Sequence, residues 1–133
     1  MCVVTLYLHS CTKETINPAN LVLNKEIAIH NCNNFNANDK IYSICFDAVL
    51  FESRCPIDAI CIWEGYATAQ FTLTSNTSNH TFSLRSLLSN KHIVLQNDTT
   101  INGIKIALIN LAPYPEKFTF SHKPYVAFLK ITQ

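Results

Sequence analysis

The clearest pattern in the chain runs from Tyr66 to Thr74. Ala67, Ala69, Phe71 and Leu73 alternate there with Thr68, Gln70, Thr72 and Thr74. Successive side chains of a strand point to opposite faces, so this pattern predicts a strand with one face in a core and one in water. Ile41 to Phe51 is strongly apolar, with Tyr42, Ile44, Phe46, Ala48 and Leu50 on one face and Ile41, Cys45, Val49 and Phe51 on the other. That pattern predicts a central strand buried on both faces. Asp47 interrupts the second face. Site carboxylates come in convergent sets, so this isolated one is read as hydrogen-bonded or edge-exposed rather than catalytic.

The remaining segments are shorter. Leu21 to Ile29 reads as a strand or two short strands, and Asn31 to Asp39 as a turn, since it packs five asparagines and an aspartate into nine residues. Ser75 to His80 is a polar turn, Thr81 to Leu84 a short strand, Arg85 to Asn90 one helical turn, and His92 to Leu95 a strand ended by Gln96, Asn97 and Asp98. Ile101 to Leu111 reads as one strand with a bulge at Gly103, followed by a rigid Pro113-Tyr114-Pro115 turn and a final strand from Pro124 to Thr132. Roughly seven to eight strands with no amphipathic helix predict an all-β fold, an antiparallel β-sandwich of immunoglobulin-like or similar Greek-key type. Residues 21–133 form its single domain.

The stretch from Glu52 to Gly65, Glu-Ser-Arg-Cys-Pro-Ile-Asp-Ala-Ile-Cys-Ile-Trp-Glu-Gly, sits between the two strongest strands. It holds two of the six cysteines, the only tryptophan and one of the two glycines. Pro56 fixes its own φ and biases Cys55 toward an extended conformation, so the chain must turn. A Cys55–Cys61 disulfide would close a small ring. Trp63, two residues beyond Cys61, would share its face on a strand, and the indole is expected to pack over the bridge. The C-x5-C spacing matches neither zinc nor thioredoxin-like pairs. Arg54 lies among Glu52, Asp58 and Glu64. It either ties down the corner through a carboxylate or is displayed to an anionic partner, and the acidic neighbours favour the first. Arg54, Asp58, Glu64 and Tyr114, the last held between two prolines, are the candidate binding residues.

The run Glu52-Ser53-Arg54-Cys55-Pro56, then Cys61, Trp63 and Gly65, resembles the core of a family of small bacterial secreted proteins and lipoproteins, roughly D-S-R-C-P-x4-5-C-x-W-x-G followed by an alternating strand. Ile104 to Leu108, Pro113-Tyr114-Pro115 and Tyr125-Val126-Ala127 resemble that family's terminal part, so the likeness extends from about Leu21 onward. Glu52 replaces the usual Asp and Glu64 a usual small residue, and Cys32 and Cys45 lie outside the pattern. The resemblance implies a β fold and an extracytoplasmic location, and no activity.

Composition narrows the rest. The chain has 133 residues, 48% of them hydrophobic and only 14% charged, with a formal net charge of +1. A near-neutral chain offers no case for nucleic acid. Its two glycines lie far apart, which excludes a glycine-rich phosphate loop. Met1 to Ser10 is apolar and runs into Leu8-His9-Ser10-Cys11, which reads as the end of a truncated lipoprotein leader with Cys11 as the lipidated residue. An ordinary first strand is the competing reading. Thr12 to Asn20, with Pro18, is then a linker. With Cys2 and Cys11 set aside, Cys32, Cys45, Cys55 and Cys61 remain. They allow three pairings, of which Cys32–Cys45 with Cys55–Cys61 is the simplest. No apolar run elsewhere approaches the length of a membrane-spanning helix.

Five histidines (His9, His30, His80, His92 and His122) form no metal-binding motif, and no nucleophile elbow is present. The expectation is a non-enzymatic, lipid-anchored envelope protein with no cofactor that binds a protein or surface polymer, attached to the membrane by its anchor alone. Two alternatives stand beside it: a protease inhibitor presenting the Cys55–Cys61 loop, and a small metal-dependent hydrolase using the histidines.

Overall fold

The computed structural model describes residues 24–86, 97–116 and 123–133. These form eight strands: β1 (Glu26–Ile29), β2 (Cys32–Ala37), β3 (Lys40–Glu52), β4 (Ala67–Thr74), β5 (Asn79–Ser86), β6 (Asp98–Ile101), β7 (Ile104–Ala112) and β8 (Val126–Thr132). Two four-stranded antiparallel sheets result, ordered β2-β3-β4-β5 and β1-β8-β7-β6. The architecture is the expected antiparallel β-sandwich. Hairpins pair β2 to β5 and β6 to β8 in chain order, while β1, separated from β6 by the whole of the other sheet, returns to pair with β8.

The alternation read along β4 holds, with Ala67, Ala69, Phe71 and Leu73 all buried. They face Ile44 and Leu84 of the same sheet and, from the other, Ile29, Ile104, Ile106, Leu108, Leu111, Ala127, Leu129 and Ile131, in one continuous core. Phe46, Phe71 and Phe82 form a stacked row across it, with centroids 5.4 and 5.8 Å apart.

Five expectations are corrected. The asparagine-rich segment is strand β2, with Phe35 and Ala37 buried and Asn34 and Asn36 exposed; the turn is only Asn38 and Asp39, both at positive φ. Asparagine tolerates the left-handed region but does not forbid a strand whose outer face is wet. Strand β3 is central but buried on one face. Ile41 therefore lies on the outer face, and register shifts between Phe46 and Ala48 and between Val49 and Phe51 turn Val49 inward and leave Leu50 and Phe51 exposed. Ile101 to Leu111 is two strands joined at Asn102 and Gly103, both at positive φ, and the irregularity lies instead between Leu108 and Asn110. Arg85 and Ser86 continue β5 instead of opening a helical turn, and Asp98 begins β6 instead of ending a strand. The leader, the linker, Leu21 to Leu23 and the His92 to Leu95 strand lie outside the described residues.

Cys32 and Cys45 are directly opposite in the β2–β3 register and form one disulfide; Cys55 and Cys61 form the other. Two disulfides in so small a domain match the usage of an oxidising, extracytoplasmic compartment.

The strands also define two poles. The turns at Asn38–Asp39, Ser75–Ser78 and Asn102–Gly103 gather at one, where the Asn38 N–H donates to Gln133 Oε1 at 3.0 Å. The Glu52–Tyr66 corner and the Pro113–Pro115 turn gather at the other, where the Ile57 N–H donates to the Pro115 carbonyl at 3.1 Å.

Candidate functional site

At the second pole the β3–β4 ladder runs past its last paired residues. The Ser53 N–H donates to the Tyr66 carbonyl at 2.9 Å and the Cys55 N–H to the Glu64 carbonyl at 2.8 Å. The chain then reverses, with the Ala59 N–H donating to the Pro56 carbonyl at 3.1 Å, and the Cys55–Cys61 disulfide closes the ring. Gly65 returns the chain at φ 66°. A Cβ there would lie 1.8 Å from the Ser53 carbonyl oxygen, so only glycine fits this crossing.

Beneath the loop Arg54 turns inward and is only 3% exposed. Its Nε donates to Glu52 Oε1 at 2.8 Å and its Nη2 to Glu52 Oε2 at 2.6 Å, a fork-to-fork pair. Nη1 donates to the Leu111 carbonyl at 2.6 Å and Nη2 to the Pro113 carbonyl at 3.1 Å. The guanidinium carbon sits 4.5 Å from the centre of the Tyr114 ring. The Tyr125 hydroxyl, 3.3 Å away, donates to Glu52 Oε2. One side chain thus ties the end of β3, in one sheet, to the end of β7, in the other. Burial raises the pKa of both tyrosines; the Glu52 carboxylate pushes the same way, while the Arg54 guanidinium partly offsets the rise.

Of the candidate binding residues, Arg54 fills the carboxylate-tied role, and Tyr114 is half-buried against it. Arg54 is not displayed to a partner. Asp58 and Glu64 lie exposed on the loop. Trp63 does not cover the disulfide. It is 82% exposed, because the chain bends at Ile62 and Trp63 and the two-residue spacing of a strand no longer applies.

Trp63 has company. Ile57, Ile60 and Ile62 are 65, 105 and 96% exposed. Sequence reasoning missed these isoleucines, although a signal was present. A ring of this size has no interior, so its apolar side chains cannot bury one another. Exposed large apolar groups are unremarkable singly, but a cluster marks a binding surface.

Elsewhere the outer face of the β2–β5 sheet is largely polar. Thr72 Oγ1 donates to Asp47 Oδ2 at 2.6 Å, which gives that carboxylate the hydrogen-bonded role expected. Near the corner Phe51 lies 5.1 Å from Tyr66, on whose ring Arg85 stacks at 4.7 Å. His30 and His80 are exposed, and the other histidines, like Cys2 and Cys11, lie outside the described residues. Among the described residues no three potential ligands gather into a metal-binding group. A cavity of about 300 Å³ at the opposite pole is lined by Asp39, Lys40, Ile41, Ser75, Asn76 and Thr77 and holds no convergent catalytic set.

No protein-family model, curated protein or solved structure matches the chain.

Proposed function

We propose that this chain is an extracytoplasmic, non-catalytic β-sandwich that docks on a component of the cell envelope through the stapled loop from Cys55 to Trp63. In this reading a lipid on Cys11 keeps it near the membrane, as in the bacterial secreted proteins and lipoproteins whose core the corner resembles. One observation carries the reading: four large apolar side chains stand in water on a loop held by a disulfide and by hydrogen bonds to its base. Burying one such side chain stabilises by about 1.5–3 kcal/mol, so leaving four exposed forgoes a large gain that a partner recovers. The staple adds to this, since a rigid loop loses little conformational freedom on docking.

The same observation separates this reading from a protease inhibitor. A protease cleft pairs with an extended segment, whereas Pro56 to Ala59 is a hydrogen-bonded reversal and Arg54 is turned inward, away from any cationic pocket. A metal-dependent hydrolase would rest on histidines that the described residues do not bring together.

The test places a photoreactive amino acid at position 60, and separately at position 38 on the opposite pole, in the full chain produced in a bacterial envelope. Discrete adducts from position 60 and none from position 38 are expected. Equal yields from both positions, or no adduct to protein or lipid from either, would overturn docking through the loop.

A further inference from the structure

The nature of the partner can be read from the loop's shape and charge, on the premise that the loop is the docking element. Ile60 and Ile62 are as exposed as in an isolated peptide, so among the described residues nothing flanks them, and the tip is convex. A rigid surface covers a convex tip only with a matching pit. A fluid phase closes around it from every side. Trp63 adds an amphipathic ring of the kind that settles at headgroup level, with its apolar body down and its N–H outward.

Part of the tip backbone is already satisfied, since the N–H groups of Ile57 and Ala59 are paired within the chain. Charge decides which surface. The only basic residue from Glu52 to Tyr66 is Arg54, which is buried and paired, while Asp58 and Glu64 are exposed. This loop has no cationic side chain to hold an anionic lipid, and the exposed Glu64 carboxylate complements the outward ammonium groups of zwitterionic headgroups.

We infer that the Ile57–Trp63 tip inserts into the interface of a neutral, zwitterionic bilayer as a shallow hydrophobic anchor. The sandwich stays outside, its outer sheet face dressed in threonine, serine and asparagine. The tip then adds a second membrane contact to any lipid carried by the chain.

The chain carries its own reporter, because Trp63 is its only tryptophan. The full chain with Cys11→Ser, which removes lipidation, is mixed with phosphatidylcholine vesicles. Its emission is expected to shift to shorter wavelength and to be quenched by brominated acyl chains, and the protein to float with the vesicles. Ile60→Asp, at a fully exposed position that the fold does not need, is expected to lower vesicle partitioning at least roughly tenfold, with unchanged circular dichroism. Replacing part of the phosphatidylcholine by phosphatidylglycerol is expected to weaken binding. Emission unmoved by phosphatidylcholine, or binding that strengthens with phosphatidylglycerol, would overturn the inference. If emission is unmoved while position 60 still yields protein adducts in the envelope, the bilayer is excluded and docking through the loop stands. If neither occurs, both fall.

Discussion

Arg54 is the residue on which the corner turns, and its worth lies in specificity as much as in stability. Taking a guanidinium and a carboxylate out of water is costly, and the pair repays it only because Leu111, Pro113 and Tyr125 satisfy the remaining donors and acceptors. Arg54→Met leaves Glu52 without its cation and is expected to cost about 3–5 kcal/mol in urea denaturation, whereas pairing it with Glu52→Leu recovers most of that loss. Gly65→Ala forces a Cβ into the Ser53 carbonyl at positive φ and is expected to cost at least about 3 kcal/mol by the same measurement. The tyrosines set the alkaline limit. Tyr114 and Tyr125 have folded pKa values above their unfolded ones, so the folded state keeps its phenolic protons longer. Their contribution is fully present below about pH 10 and is lost as pH rises through that value toward the folded pKa. Ultraviolet titration of phenolate should show both ionising above the pH at which tyrosine ionises in the unfolded chain, and removing Glu52 should lower their midpoints.

Among the elements, the two disulfides do different work. Cys32–Cys45 clips the edge strand β2 to β3 across a separation of 13 residues, and Cys55–Cys61 closes a loop of separation 6. On loop-closure entropy the first contributes about 3 kcal/mol and the second about 2 kcal/mol. Replacing each pair by alanine should therefore cost the fold less at the corner than at the hairpin. The order should reverse for Trp63 fluorescence anisotropy, which falls only when the corner staple is lost. The strand pattern was legible where a strand has one dry and one wet face, as in β4. It failed at β2, where asparagine on the outer face imitates a turn, and at β3, where two register shifts exchange the faces midway. A bulge inserts one residue into a period of two, and the residues that accommodate it carry no distinctive composition.

At the scale of the molecule, binding and stability are kept apart. The core lies between the sheets, and the apolar tip hangs from one pole, tied back through hydrogen bonds and Arg54. Substitutions should sort accordingly. Phe71→Ala, in the centre of the core, is expected to cost about 3–5 kcal/mol. Ile60→Ser should stay within about 0.5 kcal/mol of the parent, since the side chain it removes touches little. Thermal or urea unfolding of the two variants checks this, and a large loss from Ile60→Ser would mean that the tip packs against the domain after all.

The sequence by itself determined the fold class, the disulfide-ready corner and the carboxylate role of Arg54, because each follows from local rules: a period of two, a proline-defined turn, an arginine beside a glutamate. Only the tertiary structure decided the pairing order of the strands, the inward turn of Arg54 toward carbonyls of the opposite sheet, and the outward turn of Trp63 with its three isoleucines. Those depend on what lies across the gap between elements far apart in the chain. A side chain's hydrophobicity states what it would gain by burial, and the packing of the whole molecule determines whether anything is there to bury it.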